Sequence, residues 1–330
     1  MHTRSKNIAI ALAALFVAWL AATPATAAAS GVPGSETGKA KAAVKPLDFL
    51  SVQDDEEDAD TPAAFSRLSL RLYGGYSHML ANDVNKGSSY YFQLVEAYAA
   101  EGYGTATGGY SPLHGGYDFG ADLVYQITPS FGIGVGAGYI RSSADSLATF
   151  TGEGTVDLLA STMLSAVPIR LGLFLDVPLG GKLALTANAG AAYYLGLKFT
   201  GMQGLEFAAD DWMRMSLEAT ERSGLDIGFH GSLGFEYKFT PKLGFFVEGL
   251  GRYAKLKNFE SVTGTQESSG GLSEDTEGKL YLVTGSIGDS EISMFTISET
   301  EPLPDPGTTV REPKFDLSGF SLQAGFRIRF

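Results

Sequence analysis

The last eleven residues, FSLQAGFRIRF (Phe320–Phe330), decide how the whole chain is read. Taken two apart, Phe320, Leu322, Ala324, Phe326, Ile328 and Phe330 form an apolar row, and Ser321, Gln323, Gly325, Arg327 and Arg329 form a polar one. Side chains of a strand point alternately to its two faces, so this is an extended strand with one apolar face and one charged face. A slip of one residue would exchange the two faces completely, which makes the register strongly specified. The two arginines must meet a polar interior, and the apolar row must meet something equally apolar.

The same alternation recurs upstream. Segments 66–78, 115–127, 131–143, 163–177, 182–199, 224–239 and 243–257 repeat it, and 315–330 completes a set of eight. Each is long enough to cross a bilayer as a tilted strand, which takes ~9–11 residues. In the fourth, Ile169, Leu171, Leu173, Leu175 and Val177 alternate with Arg170, Gly172, Phe174 and Asp176. The connections also alternate. Thr128-Pro129-Ser130, Pro178-Leu179-Gly180-Gly181 and Thr240-Pro241-Lys242 have the composition of tight turns, whereas 79–114, 144–162, 200–223 and 258–314 are long. Lipid offers the backbone no hydrogen bonds, so such a sheet must close on itself. The pattern therefore predicts an all-β fold over 65–330: a closed antiparallel eight-stranded transmembrane up-and-down β-barrel, with long extracellular loops carrying a short helix. Aromatic girdles are expected at Tyr76, Tyr117, Tyr139 and Tyr253 on one rim, and at Tyr125, Phe131, Tyr237, Phe239 and Phe330 on the other.

The amino end reads differently. Arg4 and Lys6, the apolar run Ile8–Ala22 and Ala25-Thr26-Ala27 form a cleavable signal peptide over 1–27. Residues 28–64 lack any period and carry six acids within 54–60, the composition of a disordered acidic periplasmic linker. The chain has no cysteine, which excludes a disulfide framework, a thiol nucleophile and cysteine-based zinc sites. Its net charge of −13 argues against a nucleic-acid partner, which would require basic patches.

Three stretches carry a resemblance: LYGGYSHML (72–80), VPIRLGLFLDVPLGGKLALTANAGAAYYLGLKF (167–199) and the closing FSLQAGFRIRF. From Leu68 to Phe330 the chain resembles the small outer-membrane β-barrels of the OmpA/OmpX type. The resemblance implies the bacterial outer membrane as location, and outer-membrane lipid and lipopolysaccharide as surroundings. It also implies an insertion signal at Phe326, Ile328 and Phe330, read by the outer-membrane barrel insertion machinery. The peptidoglycan-binding domain that OmpA carries is not expected, and no cofactor is implied.

The polar row of the strands would fill the lumen. On this register it holds Arg71, Arg170, Lys198, Lys238, Arg252, Arg327 and Arg329 against Asp118, Asp122, Asp176, Asp226, Glu236 and Glu248. Near-balance points to a buried ion-pair network, with Arg170 and Asp176 as one candidate pair, because selective pores more often show rings of a single sign. Gly132, Gly134, Gly136 and Gly138 on the third segment would leave room for long guanidinium groups; their spacing is not that of a nucleotide-binding G-x-G-x-x-G.

A structural or surface-interaction barrel acting through its extracellular loops is the function expected, and not an enzyme. The alternative is a narrow conduit for small or apolar solutes, as in OmpW-like barrels. A third reading rests on His230-Gly231-Ser232 with Glu236 or Glu248, which resembles the His-x-Ser pair of lipid A deacylases but lies on the interior face. His78 and His114 mark the rim as weak ligand candidates. The stretch SSYYFQLVEAYAAEGYG (88–104) is expected to hold a short helix. DDWMRMSLEATERSG (210–224) suggests another from Asp211 to Arg222, offering Trp212, Met213, Met215 and Leu217 to a ligand. KLYLVTG and EISMFTIS, on either side of SIGDS, read as a hairpin in the last loop.

Overall fold

A computed structural model of the chain describes residues 66–330, apart from 208–210, 222–226, 258 and 260. The expected signal peptide and acidic linker, and Asp226, lie outside the described residues. The strands are β1 (Leu68–Met79), β2 (Thr105–Gly109), β3 (Gly115–Gln126), β4 (Phe131–Thr151), β5 (Thr155–Gly180), β6 (Leu183–Phe207), β7 (Trp212–Glu221) and β8 (Ile227–Lys238). They continue with β9 (Leu243–Tyr253), β10 (Lys255–Leu256), β11 (Ser261–Ser268), β12 (Ser273–Ile287), β13 (Ser290–Ser298), β14 (Thr309–Arg311), β15 (Phe315–Asp316) and β16 (Gly319–Arg329). Two helices, α1 (Asn82–Ser88) and α2 (Tyr90–Ala100), follow β1.

The fold is all-β and its ladders are antiparallel. β1 pairs with β3, β3 with β4, β4 with β5, β5 with β6, β6 with β8, β8 with β9, β9 with β16 and β16 again with β1. These pairings return to their start and give a barrel. At the seam the Phe330 N–H donates to Leu68 O at 3.0 Å. The strand count differs from expectation: the described residues carry sixteen strands rather than eight. β4, β5 and β6 run to 21, 26 and 25 residues and continue far past the ring. From the extended β6 the sheet goes on through β7, β11, β12 and β13. Long loops thus became strands because extended neighbours offered them an edge to pair with.

The two stretches of sheet bury the same inward face, but its chemistry differs. Along β4 the outward residues run Ile133, Val135, Ala137, Tyr139, then Arg141, Ser143, Asp145. The inward ones change from Gly132, Gly134 and Gly136 to Ile140 and Ala148, both buried. On β5 the exposed Leu171, Leu173 and Leu175 stand beside the inward Arg170 and Asp176, whereas farther out Leu158, Ala160 and Leu164 are buried. In the ring, apolar side chains face out and charged ones in; beyond Tyr139 the inward face turns mainly apolar with Ser142, Ser146 and Thr162 among it, and the outward face carries polar residues beside the exposed Leu147. The outer part packs Met79, Ile140, Leu164, Phe199, Leu256 and Phe315 into a core over the mouth of the ring. Phe315 lies 5.0 Å from Phe199 and 4.2 Å from Phe259, ring centre to ring centre.

The helix expected from 88–104 is α2. Its Phe92 and Val95 pack against Ala148, Leu158 and Ala160 on the inner face of the extended sheet. The helix expected at Asp211–Arg222 is instead strand β7, held by β6 on one side and β11 on the other. Met213, Met215, Leu217 and Ala219 alternate along it, and two ladders outweigh its helical propensity. The 279–298 stretch is a hairpin, with β12 and β13 paired from Lys279↔Ser298 to Ile287↔Ser290.

Candidate functional site

One ion pair of the lumen depends on a glycine on the strand between two charged neighbours. Asp122 on β3, Gly136 on β4 and Arg170 on β5 lie in one row across the strands. Arg170 Nη2 reaches over the glycine to donate to Asp122 Oδ1 at 2.9 Å. A Cβ at Gly136 would overlap that carboxylate oxygen. The inward glycines of β4 thus make room mainly for Asp122, the Phe174 ring and the Gln126 amide, rather than for guanidinium groups.

Arg71 donates to Glu248 Oε2 at 2.7 Å, lies 3.6 Å from Asp122, and sits 4.1 Å from the Phe246 ring centre. Ser232 Oγ donates to Glu248 at 3.1 Å. Toward the chain terminus, Arg327 Nη1 donates to Asp176 at 2.7 Å and to Glu236 at 3.3 Å, while Arg329 donates to Glu236 at 2.5 Å. At the opposite end Arg252 donates to Leu317 O, Ser321 Oγ and Ser77 Oγ at 2.7, 2.9 and 2.6 Å, and lies 3.6 Å from Asp118. Charges so deeply buried are tolerable only when each finds such partners. The lumen carries pockets of about 20 and 10 Å³ beside Arg170 and His230, each near the size of a single water.

Of the expected network, Arg71, Asp118, Asp122, Arg170, Asp176, Glu236, Glu248, Arg252, Arg327 and Arg329 come together here. Arg170 pairs with Asp122, not Asp176. Lys198 falls outside: a bulge at Gly196 (φ 55°) shifts the alternation by one residue and turns Lys198 outward to an exposed pair with Glu218 at 2.9 Å. Lys238 stands at the end of β8 with no carboxylate within 4.0 Å among the described residues.

His230 and Ser232 form no nucleophile–base pair. The Ser232 hydroxyl is engaged with Asn188 at 2.5 Å and with Glu248. His78 and His114 stack on one another at 5.1 Å, and His78 stacks on Phe320 at 5.1 Å. His114 Nδ1 lies 3.0 Å from Met79 O. Among the described residues no cluster of three His, Asp or Glu side chains has metal-binding proximity.

A second concavity lies in the outer part, between α1 and α2 and the strands β6, β7, β11, β12 and β13. It encloses about 250 Å³. Met202, Met215, Leu217, Met294, Phe295 and Ile297 form its apolar wall. Trp212 and Met213 do not line it: Arg214 stacks over Trp212 at 5.0 Å, and Met213 Sδ accepts from Gln266 at 3.4 Å. Met202 and Met294 were missed from sequence because they belong to strands distant in the chain, brought together only by the continued sheet.

Fold and site together define a β-barrel protein with a filled lumen and a separately cored outer part. No family model matches the chain, and no curated protein does. Among solved structures, a major outer membrane protein from Thermus thermophilus is 14% identical, with 80% of this chain and 99% of that chain covered and a TM-score of 0.34. The outer membrane protease OmpT from Escherichia coli is 8% identical, with 83% and 100% covered and a TM-score of 0.29. Likeness at this level carries no functional information.

Proposed function

We propose that the chain is an integral outer-membrane β-barrel protein whose eight ring strands cross the bilayer. The closed, charge-balanced lumen supports an outer part that makes contacts at the cell surface. The observation that carries this reading is the change of side-chain polarity at Tyr139. Below it, a ring that exposes Leu171, Leu233, Phe235, Leu322 and Phe326 while burying arginines suits a sheet surrounded by lipid. Above it, a mainly apolar inward face and an outward face that carries Arg141, Ser143 and Asp145 suit a sheet surrounded by water. Tyr117, Phe119 and Tyr139 cluster at the boundary, as an interfacial aromatic girdle does.

Under this reading the outward band meets outer-membrane lipid and lipopolysaccharide. The exposed Phe326 and Phe330, with Ile328 between them, present the signal to the barrel insertion machinery. The protein is a scaffold rather than an enzyme, since the lumen's one histidine–serine pair is disengaged. It is a scaffold rather than a conduit, since cross-lumen ion pairs occupy the bore. The test is conductance of the refolded protein in a planar bilayer, with heat-modifiable gel mobility as the check on folding. A folded barrel is expected to leave the membrane silent. Steady, reproducible open steps would overturn the closed-lumen reading in favour of the conduit.

A further inference from the structure

We propose that the outer pocket is a binding site for an uncharged, mainly apolar small molecule of about ten non-hydrogen atoms, by scaling from the ~150 Å³ cavity that holds benzene in an engineered protein. The site does not depend on how the barrel meets the membrane, because its walls belong wholly to the outer part.

Three observations carry the inference. The first is size. The space of about 250 Å³ is open on one side and borders the apolar core, against which its lining residues Leu217, Phe295 and Ile297 pack. The second is the chemistry of the wall. Of the described residues that line the pocket none is charged, so a carboxylate or ammonium would lose its hydration without gaining a counter-charge. Three of the chain's seven methionines, Met202, Met215 and Met294, face the space, and their flexible, polarizable thioethers adapt to the outline of an apolar guest. The amides of Gln203 and Gln266, together with serine and threonine hydroxyls such as Ser216 and Thr276, supply polar points on a mainly apolar wall. The third is access. Met202 and Met215 remain 39% and 37% exposed, so the space opens to solvent beside them. On the helix side Tyr91 closes the wall, its hydroxyl donating to Met215 Sδ at 3.2 Å. The Tyr91 phenol, neutral near pH 7 at its ordinary pKa and with that pKa raised further by burial, adds no charge on this side.

The test uses the full protein refolded into nanodiscs with methionine methyl groups labelled with carbon-13, and indole as an uncharged bicyclic probe. Titration is expected to shift the Met202, Met215 and Met294 methyl resonances together and saturably, while Met79 and Met163, away from the pocket, stay in place. Indole-5-carboxylate, nearly the same shape with a charge, should leave all five unmoved at equal concentration. Leu217→Trp, which fills the space, should weaken indole binding at least tenfold with the Met79 resonance unchanged as the sign of an intact fold. Should that resonance be lost, Met215→Trp, at a side chain already part-exposed, replaces it. The proposal is overturned by non-saturable or absent shifts, by equal shifts with the carboxylate, or by undiminished binding in the filled variant.

Discussion

Gly136 shows how an absent side chain can specify a charged interior. Asp122 and Arg170 sit on strands two apart, and they touch only because the strand between them presents a hydrogen at that height. In Gly136→Ala the new methyl would displace the Asp122 carboxylate, and the Ala121 carbonyl, 2.8 Å from the methyl position, blocks relief through the backbone. Leaving Arg170 without its partner should destabilise the barrel by about 3 kcal/mol. Gly249→Ala, where nothing lies within 4 Å, should be neutral. Urea unfolding of the two refolded variants, followed by gel mobility, separates these outcomes, and equal midpoints would refute the spacer role. The inward charges and glycines were legible as alternate positions along single strands. Which charges pair was not legible, because that depends on the stagger between strands. Hence Arg170 finds Asp122 instead of Asp176, and one bulge at Gly196 removes Lys198 from the lumen altogether.

Among the elements, α2 has an end that its sequence dictates. Gly102 takes φ 84°, its N–H donates to Ala99 O at 3.1 Å, and the Tyr103 N–H donates to Tyr98 O at 3.0 Å. The Tyr98 and Tyr103 rings meet edge to face at 6.1 Å, the apolar contact that accompanies this helix stop. A Cβ at Gly102 would meet nothing within 4 Å, so Gly102→Ala tests backbone strain alone. It should cost about 1 kcal/mol, read as faster amide hydrogen exchange over α2.

α1 is held by a different device. Arg311 donates from both Nη atoms to Asp83 at 2.5 and 2.7 Å, and the Lys314 N–H adds a third bond at 2.8 Å. Burial alone would raise the pKa of the Asp83 carboxyl, but these hydrogen bonds outweigh it and hold the carboxyl below its ordinary range. The proton therefore binds the folded form more weakly. The stabilisation is complete above the unfolded value of about 4 and is lost as pH falls through the lower folded value. Amide exchange in α1, corrected for intrinsic rates, should accelerate from about pH 4 downward, and Asp83→Asn should remove that dependence. An unchanged profile in Asp83→Asn would show that the clamp does not hold the helix. The sequence announced α2 through an unbroken helix-forming run. It hid α1, seven residues with a glycine and two asparagines, which the mouth of the ring fixes from outside: the Leu80 and Ala81 N–H groups donate to Ser318 O and Asp316 O. β7 was misread although its apolar residues alternate, because a helical pattern of similar length competed with that period.

At the scale of the whole molecule, the decisive feature is that one sheet changes the polarity of its faces without changing strands. β4, β5 and β6 keep their ladders while the chemistry of the inward face changes from charged to mainly apolar, so the boundary is a matter of side chains and not of backbone. The ring strands were legible because an exposed apolar face on one side and a charged lumen on the other impose a strict period of two. The outer strands were not, since an outer face and a core of mixed polarity relax that period. The boundary makes a depth prediction. Trp19 lies in the expected signal peptide, so Trp212 is the one tryptophan of a chain refolded from residue 28 onward. In bilayers of lipid brominated along the acyl chain, Trp212 fluorescence should persist, because β7 lies beyond the ring. In a Trp212→Phe background, Phe235→Trp, at an outward ring position 54% exposed, should be strongly quenched. Leu147→Trp, on β4 past Tyr139 and 61% exposed, should not be, and should instead respond to aqueous acrylamide. Both introduced tryptophans occupy exposed apolar positions, so only the surrounding medium distinguishes them. Quenching of Leu147→Trp by the brominated chains would move the boundary outward and place the extended strands in lipid as well.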